Sequence, residues 1–193
     1  MTSPEEGTDM TASTTPPVTE ALRAEARANP GAWIYAVDPG FAGQAEVPPE
    51  GIVGAWRSDE NGRLTDEFTP NARHLPTPQA RGWDEPRSAL ERVLQLVLSG
   101  YLSETQLWEA FAHEVVFVFS GPDQALFLAP AQDAGRLVYA YTDEEKVSAT
   151  GAGDYRAVVG GELVPTLPED VRIAINPGAA VSAVIRPQDV PRA

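Results

Sequence analysis

The chain has 193 residues, with 14 basic and 28 acidic side chains and a formal net charge of −14. A surface this acidic repels phosphate backbones and anionic lipid headgroups, which argues against nucleic-acid binding and electrostatic membrane binding. The absence of cysteine excludes disulfides, thiolate metal sites and cysteine nucleophiles, and no apolar run reaches the ~18 residues of a membrane span, so no membrane insertion is expected.

The amino-terminal residues 1–28 are expected to form a disordered acidic tail. Residues 1–20 are rich in Thr, Ser, Pro and acids, and they bury too little apolar surface to offset the entropy of ordering. They also lack the basic start and apolar run of a secretory signal, so we expect a cytoplasmic protein. Residues 20–28 have a helix-forming composition, and Asn29-Pro30-Gly31 would end a short helix there.

Residues 29–83 are predicted to form a hairpin followed by a connector. A strand is expected at 33–37, then a proline- and glycine-rich loop at 38–51 and a second strand at 52–57. Asn61-Gly62 tolerates positive φ and predicts the turn of a hairpin whose returning strand is 63–68. Residues 69–83 contain three prolines and should be an irregular connector.

Two helices are predicted in the middle of the chain. Asp84 is the expected cap of the first, with Pro86 in its first turn and Gly100 as its glycine stop. Its apolar side chains recur at helical spacing and form one face: Leu90, Val93, Leu94, Val97 and Leu98. Ser103 and Gln106 fit a capping box for the second helix, which buries Leu107, Ala110 and Phe111.

After residue 112 the pattern changes from helical to strand-like. Strands are expected at 114–120, 124–129, 136–141, 171–175 and 180–185, with a capped helix start at 142–145 and one or two helical turns at 160–167. Strand runs and helix runs are segregated along the chain. The pattern therefore predicts an α+β fold, a mixed sheet with a central helix-turn-helix pair, forming a single domain over 29–193.

Catalytic motifs are scarce in this sequence. It has no Gly-x-Ser-x-Gly elbow and no phosphate-binding Gly-x-x-x-x-Gly-Lys loop. The two histidines, His74 and His113, have no companions at metal-ligand spacing, so we expect no metal, no cofactor and no catalytic residues. Chemistry by carboxylates alone stays open, because the 28 acids include several adjacent pairs.

Tryptophan and arginine are over-represented in the contacts that dominate protein interfaces. Trp56, Arg57 and Trp83 lie together in the region 29–83, whose prolines hold extended segments at low entropic cost. We therefore predict that these three residues contact a partner protein, on the hairpin 52–68 and the connector 69–83. The alternative is that both tryptophans only cover the sheet.

Three stretches of the chain resemble a family of high-GC Gram-positive bacteria, the type VII secretion system-associated proteins, which are related to SseB-like domains. The first stretch joins the strand 33–37 and Asp38-Pro39 to residues 52–57. The second is 76–86, which leads into the helix at 90–98 and Gly100-Tyr101. The third contains Gly161-Glu162-Leu163, Leu167-Pro168 and Ile173-Ala174-Ile175-Asn176-Pro177-Gly178.

The resemblance implies an SseB-like fold and an accessory role near a secretion locus, and it implies no catalytic residues. The leading hypothesis is a non-enzymatic accessory protein that binds another protein, either a secretion component or a substrate. The alternatives are an immunity-type or general SseB-like binding domain, which the strong acidity would suit if the partner were basic, and a small ligand-binding protein or enzyme.

Overall fold

The computed structural model describes residues 15–131 and 135–191. The chain divides into two compact units, the first ending at Pro76 and the second beginning at Thr77. This differs from the expectation of a single domain over 29–193. The boundary falls inside the proline-rich connector 69–83, and each unit has a sheet of its own.

The first unit is a three-stranded antiparallel sheet preceded by a helix. The strands follow the order β1-β2-β3, and β2 pairs with both neighbours. The elements are α1 (Glu20–Ala28), β1 (Trp33–Val37), β2 (Ile52–Ser58) and β3 (Leu64–Pro70). The three strands confirm the expected strand and hairpin, with β3 shifted slightly toward the carboxyl terminus.

The predicted tail is only partly described, because residues 1–14 lie outside the described residues. Helix α1 forms over the stretch that has helix-forming composition. Its N-cap is Thr19, whose hydroxyl accepts a hydrogen bond from the Leu22 amide at 3.3 Å. Ala26 of this helix is fully buried, so α1 contributes to the packing of the first unit.

Within the described residues, the second unit contains four α-helices and a six-stranded sheet. Its helices are α2 (Ala89–Leu98), α3 (Glu104–His113), α4 (Glu144–Ala149) and α5 (Gly160–Leu163). Its strands are β4 (Val115–Phe119), β5 (Leu128–Pro130), β6 (Arg136–Tyr141), β7 (Tyr155–Val159), β8 (Val171–Ile175) and β9 (Ala183–Ile185).

The sheet of the second unit is mixed, which confirms the predicted α+β class. Its main order is β7-β4-β6-β8-β9, and β5 pairs with β6 beside that path. Only β6 and β8 run parallel among the described pairs. Strand β7 was not predicted, because Tyr155–Val159 follows a glycine-rich loop and becomes a strand by pairing with β4.

The segment after β4 corrects another strand prediction. Residues 124–129 were expected to return along β4, but the pairing is limited to an isolated bridge between Ser120 and Leu126 and a hydrogen bond from the Phe127 amide to the Phe119 carbonyl at 3.2 Å. The regular strand here is β5, and it pairs with β6. A helical turn at Pro122–Gln124, in which Asp123 and Gln124 take positive φ, separates β4 from the returning segment.

Strand alternation gives the larger sheet two different faces. Val116 and Val118 of β4 are fully buried in the main core against α2, α3 and α5. Phe117 and Phe119, on the opposite face, join a smaller aromatic cluster with Val147 of α4. Successive side chains of a strand point to opposite faces, so one strand supplies both clusters.

The helix pair forms as the apolar spacing predicts, with one corrected boundary. The first helix is capped by Ser88 and not by Asp84, since the Ser88 hydroxyl accepts from the Glu91 amide at 3.1 Å. Gly100 takes φ +85°, as a glycine stop requires. The capping box of α3 is present, and Gln106 Oε1 accepts from the Ser103 amide at 3.0 Å.

Candidate protein-binding site

The outer face of β1 exposes large apolar side chains. Trp33, Tyr35 and Val37 are 42%, 52% and 39% exposed. Ile34 and Ala36, which alternate with them, are buried inside the first unit. A three-stranded sheet with one packed face leaves the other face open, and here that face carries two aromatic rings.

A groove runs along this outer face beside the two rings. Tyr35 lies opposite Ala55 of β2, and Ala55 lies opposite Thr69 of β3. The small side chains of Ala55 and Thr69 therefore form the floor of the groove beside the aromatic rings. The groove has a volume of about 500 Å³. Besides these residues its lining includes Trp33, Pro49, Ile52, Gly54, Pro70, Asn71 and Arg73. We call it the β1 groove.

One arginine, Arg73, lines the β1 groove, and another, Arg57, lies beside it against Trp33. Arg57 is the cross-strand neighbour of Trp33, and its guanidinium carbon lies 5.4 Å from the centre of a Trp33 ring. This distance is within the range of a cation–π contact. Arg73 lines the groove at the Ile52 end, where its Nη2 lies 3.1 Å from Glu50 Oε1 in an exposed ion pair.

The structure places Trp56 in the interior of the first unit. It is only 3% exposed, and its ring lies 4.6 Å from that of Phe68, measured between centroids. Gly54 makes room for this pair, because a Cβ there would lie 2.4 Å from Phe68 Cζ. The Trp56 ring therefore has almost no surface to offer a partner, in line with the alternative that it covers the sheet.

Trp83, the third predicted contact, belongs to the second unit. It is half-buried and packs against the main core, and the Arg81 guanidinium lies 5.3 Å from its ring centre. Of the three predicted residues, only Arg57 lies on the exposed face of β1 and β2, although Trp56 is its neighbour in sequence. Adjacent strand residues point to opposite faces, which separates the two.

Sequence analysis missed Trp33 and Tyr35 as surface residues. The signal was present in Trp33-Ile34-Tyr35-Ala36-Val37. The two aromatic residues alternate with smaller residues, so both rings lie on one face of the strand and the smaller side chains lie on the other. In a small sheet only one of the two faces can pack against the interior. Which of the two faces packs inward depends on the contacts of β1 with β2 and α1, and the five residues of the strand do not reveal these contacts.

A cluster of charged side chains lies in the second unit around Lys146, the single lysine of the sequence. Lys146 Nζ lies 2.9 Å from Glu91 Oε1 and 2.7 Å from Asp143 Oδ2. Burial opposes the charged form of Lys146, but hydrogen bonds to Asp143 and Glu91 outweigh it and raise the pKa of the ammonium group. The pKa of Asp143 is lowered, because the contacts with Lys146 outweigh its burial.

This cluster lies beside a narrow cleft of about 180 Å³, to which Glu91, Gln95, Lys146 and residues 179–181 contribute. The polar groups around it are partnered within the protein. Gln95 Nε2 donates to the carbonyl of Asp84 at 2.8 Å, and Arg87 is ion-paired with Glu145. These contacts connect α4 to α2 and keep Lys146 charged. Lys146 therefore does not supply a neutral amine as a nucleophile.

The carboxyl ends of the parallel strands β6 and β8 are joined by buried polar groups. Asn176 takes φ +47°, and its side-chain oxygen accepts from the Thr142 amide at 3.0 Å. Its side-chain nitrogen donates to the Thr142 hydroxyl, also at 3.0 Å. The segment Asn176-Pro177-Gly178, which follows β8, therefore also links two strand ends.

His74 also has a partner in the first unit. Its Nε2 lies 2.9 Å from Oδ2 of Asp38, whose side chain is fully buried. The other oxygen of Asp38 accepts from the Gly40 amide at 2.9 Å. The pair joins the loop after β1 to the segment after β3, and the geometry supports a structural role.

Neither a candidate metal site nor a candidate membrane span is present in residues 15–131 and 135–191. No group of three or more histidine and carboxylate side chains in them could hold a metal ion. No helix in the same ranges has both the length and the apolar character needed to span a bilayer.

Comparison with known proteins gives no relative from which a role could be transferred. No protein-family model, curated protein or solved structure matches the chain. The fold and the β1 groove define a two-unit α+β protein with an exposed aromatic sheet face, and its function has to be argued from that face.

Proposed function

We propose that this chain is a non-enzymatic accessory protein that binds another protein through the β1 groove. The observation that carries the proposal is the row of Trp33, Tyr35 and Val37 on one open sheet face. Contiguous exposed apolar surface is typical of interaction sites, and aromatic rings are enriched among the residues that dominate binding energy. Arg57 beside Trp33 adds a second residue type favoured at such sites.

The polar clusters support a binding role over an enzymatic one. Asp38, His74 and the charged groups around Lys146 all find their polar partners within their own unit. The cleft beside Lys146 is narrow, at about 180 Å³, and ligand pockets usually have ~300–1,000 Å³. The β1 groove, at about 500 Å³, is larger than this cleft, and apolar and small side chains make up most of its lining.

We further propose that the protein acts in the cytoplasm and that its partner is a component or substrate of type VII secretion. This part of the proposal rests on the resemblance of residues 30–190 to type VII secretion system-associated proteins. The β1 groove supports binding to a protein, whichever partner is involved.

The test is capture of partners from the native host by the full chain, followed by identification of the captured proteins. Tyr35→Ala removes an exposed ring from the groove, and we expect it to lose the captured partner while the unfolding midpoint stays nearly unchanged. The matched control is Phe127→Ala, which removes a ring that is 59% exposed in the second unit. Retained capture by Tyr35→Ala would contradict the proposed site. A partner unrelated to secretion would contradict only the secretion assignment.

A further inference from the structure

We infer that the outer edge of β7 binds an extended segment of another protein by strand addition, and that this segment has basic residues at its ends. The site lies in the second unit and does not involve the β1 groove, so the inference goes beyond the proposed function. Two properties of β7 within the described residues carry it: a row of backbone groups without partners, and exposed carboxylates without cationic partners at both ends of the strand.

The hydrogen bonds between β7 and β4 determine which residues of β7 face outward. β7 is the last strand on one side of the larger sheet, and β4 is the strand beside it. The Ser120 amide, directly after β4, donates to the Asp154 carbonyl at 3.0 Å. Bonded and non-bonded pairs alternate in an antiparallel ladder, so Arg156 and Val158 are the residues of β7 that bond to β4.

The alternate residues of β7 direct their backbone groups away from the sheet. In the part of the chain that the structure describes, no backbone hydrogen bond involves the amides of Tyr155, Ala157 and Val159 or the carbonyls of Tyr155 and Ala157. Natural edge strands are commonly blocked by proline, by bulges or by several charges. β7 has no proline, its five pairs with β4 are in unbroken register, and Ala157 at its centre is exposed. The edge therefore presents the free donors and acceptors that a further strand needs.

The charges beside β7 favour a basic segment. Glu144 accepts a hydrogen bond from the Tyr155 hydroxyl at 3.0 Å, Asp154 directly precedes β7, and Glu162 lies just beyond its other end. All three carboxylates are exposed, and none of them is in an ion pair with a described residue. Arg156 is the single charged residue of β7, and its side chain points to the face opposite Tyr155. A segment with basic ends therefore meets negative charge at both ends of β7.

A second copy of the chain suits this edge less well than a basic segment of another protein. Antiparallel pairing of two β7 edges with their free amides aligned places Val159 of the copy opposite Tyr155, and Val159 supplies no cation to Glu144. It also brings together two chains that each carry a formal net charge of −14. Residues directly opposite each other in a sheet share a face, so a lysine opposite Tyr155 lies beside that ring and has the length to reach the Glu144 carboxylate.

The experiment measures binding of fluorescent heptapeptides to the full chain by anisotropy. The first peptide alternates valine and threonine between two terminal lysines, and the second has glutamate at both ends with the same interior. We expect saturable binding of the lysine-ended peptide, weakened about tenfold or more by the exchange to glutamate and weakened when salt is raised from about 0.02 M to about 0.5 M. A third peptide, methylated on every inner amide nitrogen, keeps both lysines and should also bind about tenfold or more weakly, because it lacks the backbone donors.

Two variants at position 157 test the backbone contact. Ala157→Pro removes an amide that points away from β4, and edge strands tolerate proline where the lost amide faces solvent. We expect this variant to keep a cooperative thermal transition and to bind the lysine-ended peptide about tenfold or more weakly. The matched control is Ala157→Thr, which keeps the amide and should bind the peptide as the wild type does.

Charge variants test the acidic ends and do not depend on the folding of Ala157→Pro. Glu144→Gln and Asp154→Asn should each weaken the lysine-ended peptide by about two- to fivefold, which is the usual strength of an exposed ion pair. Glu169→Gln is the matched control, because this exposed carboxylate lies two residues before β8, three strands along the sheet from β7. It should leave the affinity unchanged.

Three outcomes would overturn the inference: no binding of the lysine-ended peptide, equal binding of the glutamate-ended peptide, or unchanged binding by folded Ala157→Pro. Self-association that Ala157→Pro abolishes and the peptide does not displace would identify a second copy as the occupant and would also overturn it. Tyr35→Ala should leave the affinity for the peptide unchanged, and a loss there would place the peptide on the β1 groove instead. Capture of a native partner through the β1 groove is measured separately, so the proposed function survives a negative result at β7.

Discussion

At the residue scale, the first unit depends on a close approach between strands. Gly54 lies opposite Pro70, next to the packed pair of Trp56 and Phe68. A Cβ at position 54 would lie 2.4 Å from Phe68 Cζ and 2.6 Å from the Thr69 carbonyl oxygen. The backbone oxygen has little freedom to retreat, so glycine is required at this position.

Gly54→Ala should therefore destabilise the protein by about 1–3 kcal/mol, because the added methyl group displaces the Phe68 ring and strains β3. Denaturant unfolding followed by tryptophan fluorescence would measure the loss. The control is Gly121→Ala, where the nearest atom would be 3.9 Å away and φ is negative. Equal stability of the two variants would contradict the packing described here.

A second residue-scale prediction concerns Asp143, whose pKa is lowered from its ordinary value of 3.8. A carboxylate with a lowered folded-state pKa stabilises the protein above its unfolded pKa, and the contribution is lost as the pH falls through the folded-state value. Asp143→Asn keeps a side chain that can cap α4 but removes the charge facing Lys146.

We expect Asp143→Asn to be less stable than the wild type at pH 7, and the difference to shrink below about pH 4 as the wild-type carboxylate becomes protonated. Urea unfolding at several pH values would measure both quantities. A difference that stays constant down to about pH 2 would show that the loss does not come from the charge of Asp143.

At the element scale, α2 anchors the second unit through its apolar face. Leu90 and Leu94 are fully buried in the main core, whereas Leu98 is 37% exposed at the end of the same helix. The predicted spacing of apolar residues was correct for the centre of the helix. The predicted cap was wrong, since the hydroxyl of Ser88, and not the side chain of Asp84, accepts the hydrogen bond from the Glu91 amide in the first turn.

Leu94→Ala should cost about 2–5 kcal/mol, because it leaves a cavity in a packed core. Ser88→Ala should cost about 0.5–2 kcal/mol through the lost cap. Leu98→Ala is the matched control and should cost clearly less than Leu94→Ala, since its side chain is partly solvated. Thermal unfolding would rank the three variants, and a harmless Leu94→Ala would contradict the burial of this face.

At the scale of the whole molecule, each unit has its own packed interior. The first unit buries Ile34, Ala36 and Trp56 on one face of its three-stranded sheet. The second buries the larger core between its sheet and the helices α2, α3 and α5. A unit with its own hydrophobic core can in principle fold alone.

We therefore expect a fragment of residues 77–193 to fold without the first unit. It should show a helix and strand signal in circular dichroism and a cooperative thermal transition, because every residue of its main core lies within the fragment. A fragment that lacks a cooperative transition would show that the second unit needs residues 1–76 to fold.

Local signals in the sequence determined much of the secondary structure. The apolar spacing of α2, the capping box at Ser103 and the glycine stop at Gly100 act over a few residues, so they can be predicted from neighbours in the chain. The α+β class and the mixed sheet followed from the segregation of helices and strands. The strands β1, β2, β6 and β8 were predicted correctly for the same reason.

The tertiary structure alone decided the pairing and the exposed faces. Strand β7 exists because β4 pairs with it, and Lys146 meets Glu91 across 55 positions of the chain. Tryptophans look alike in a sequence, but Trp33 is exposed and Trp56 is buried, because the two side chains point to opposite faces of the small sheet and only one of those faces is packed. Such outcomes depend on contacts between distant segments, for which a single sequence has no local signal.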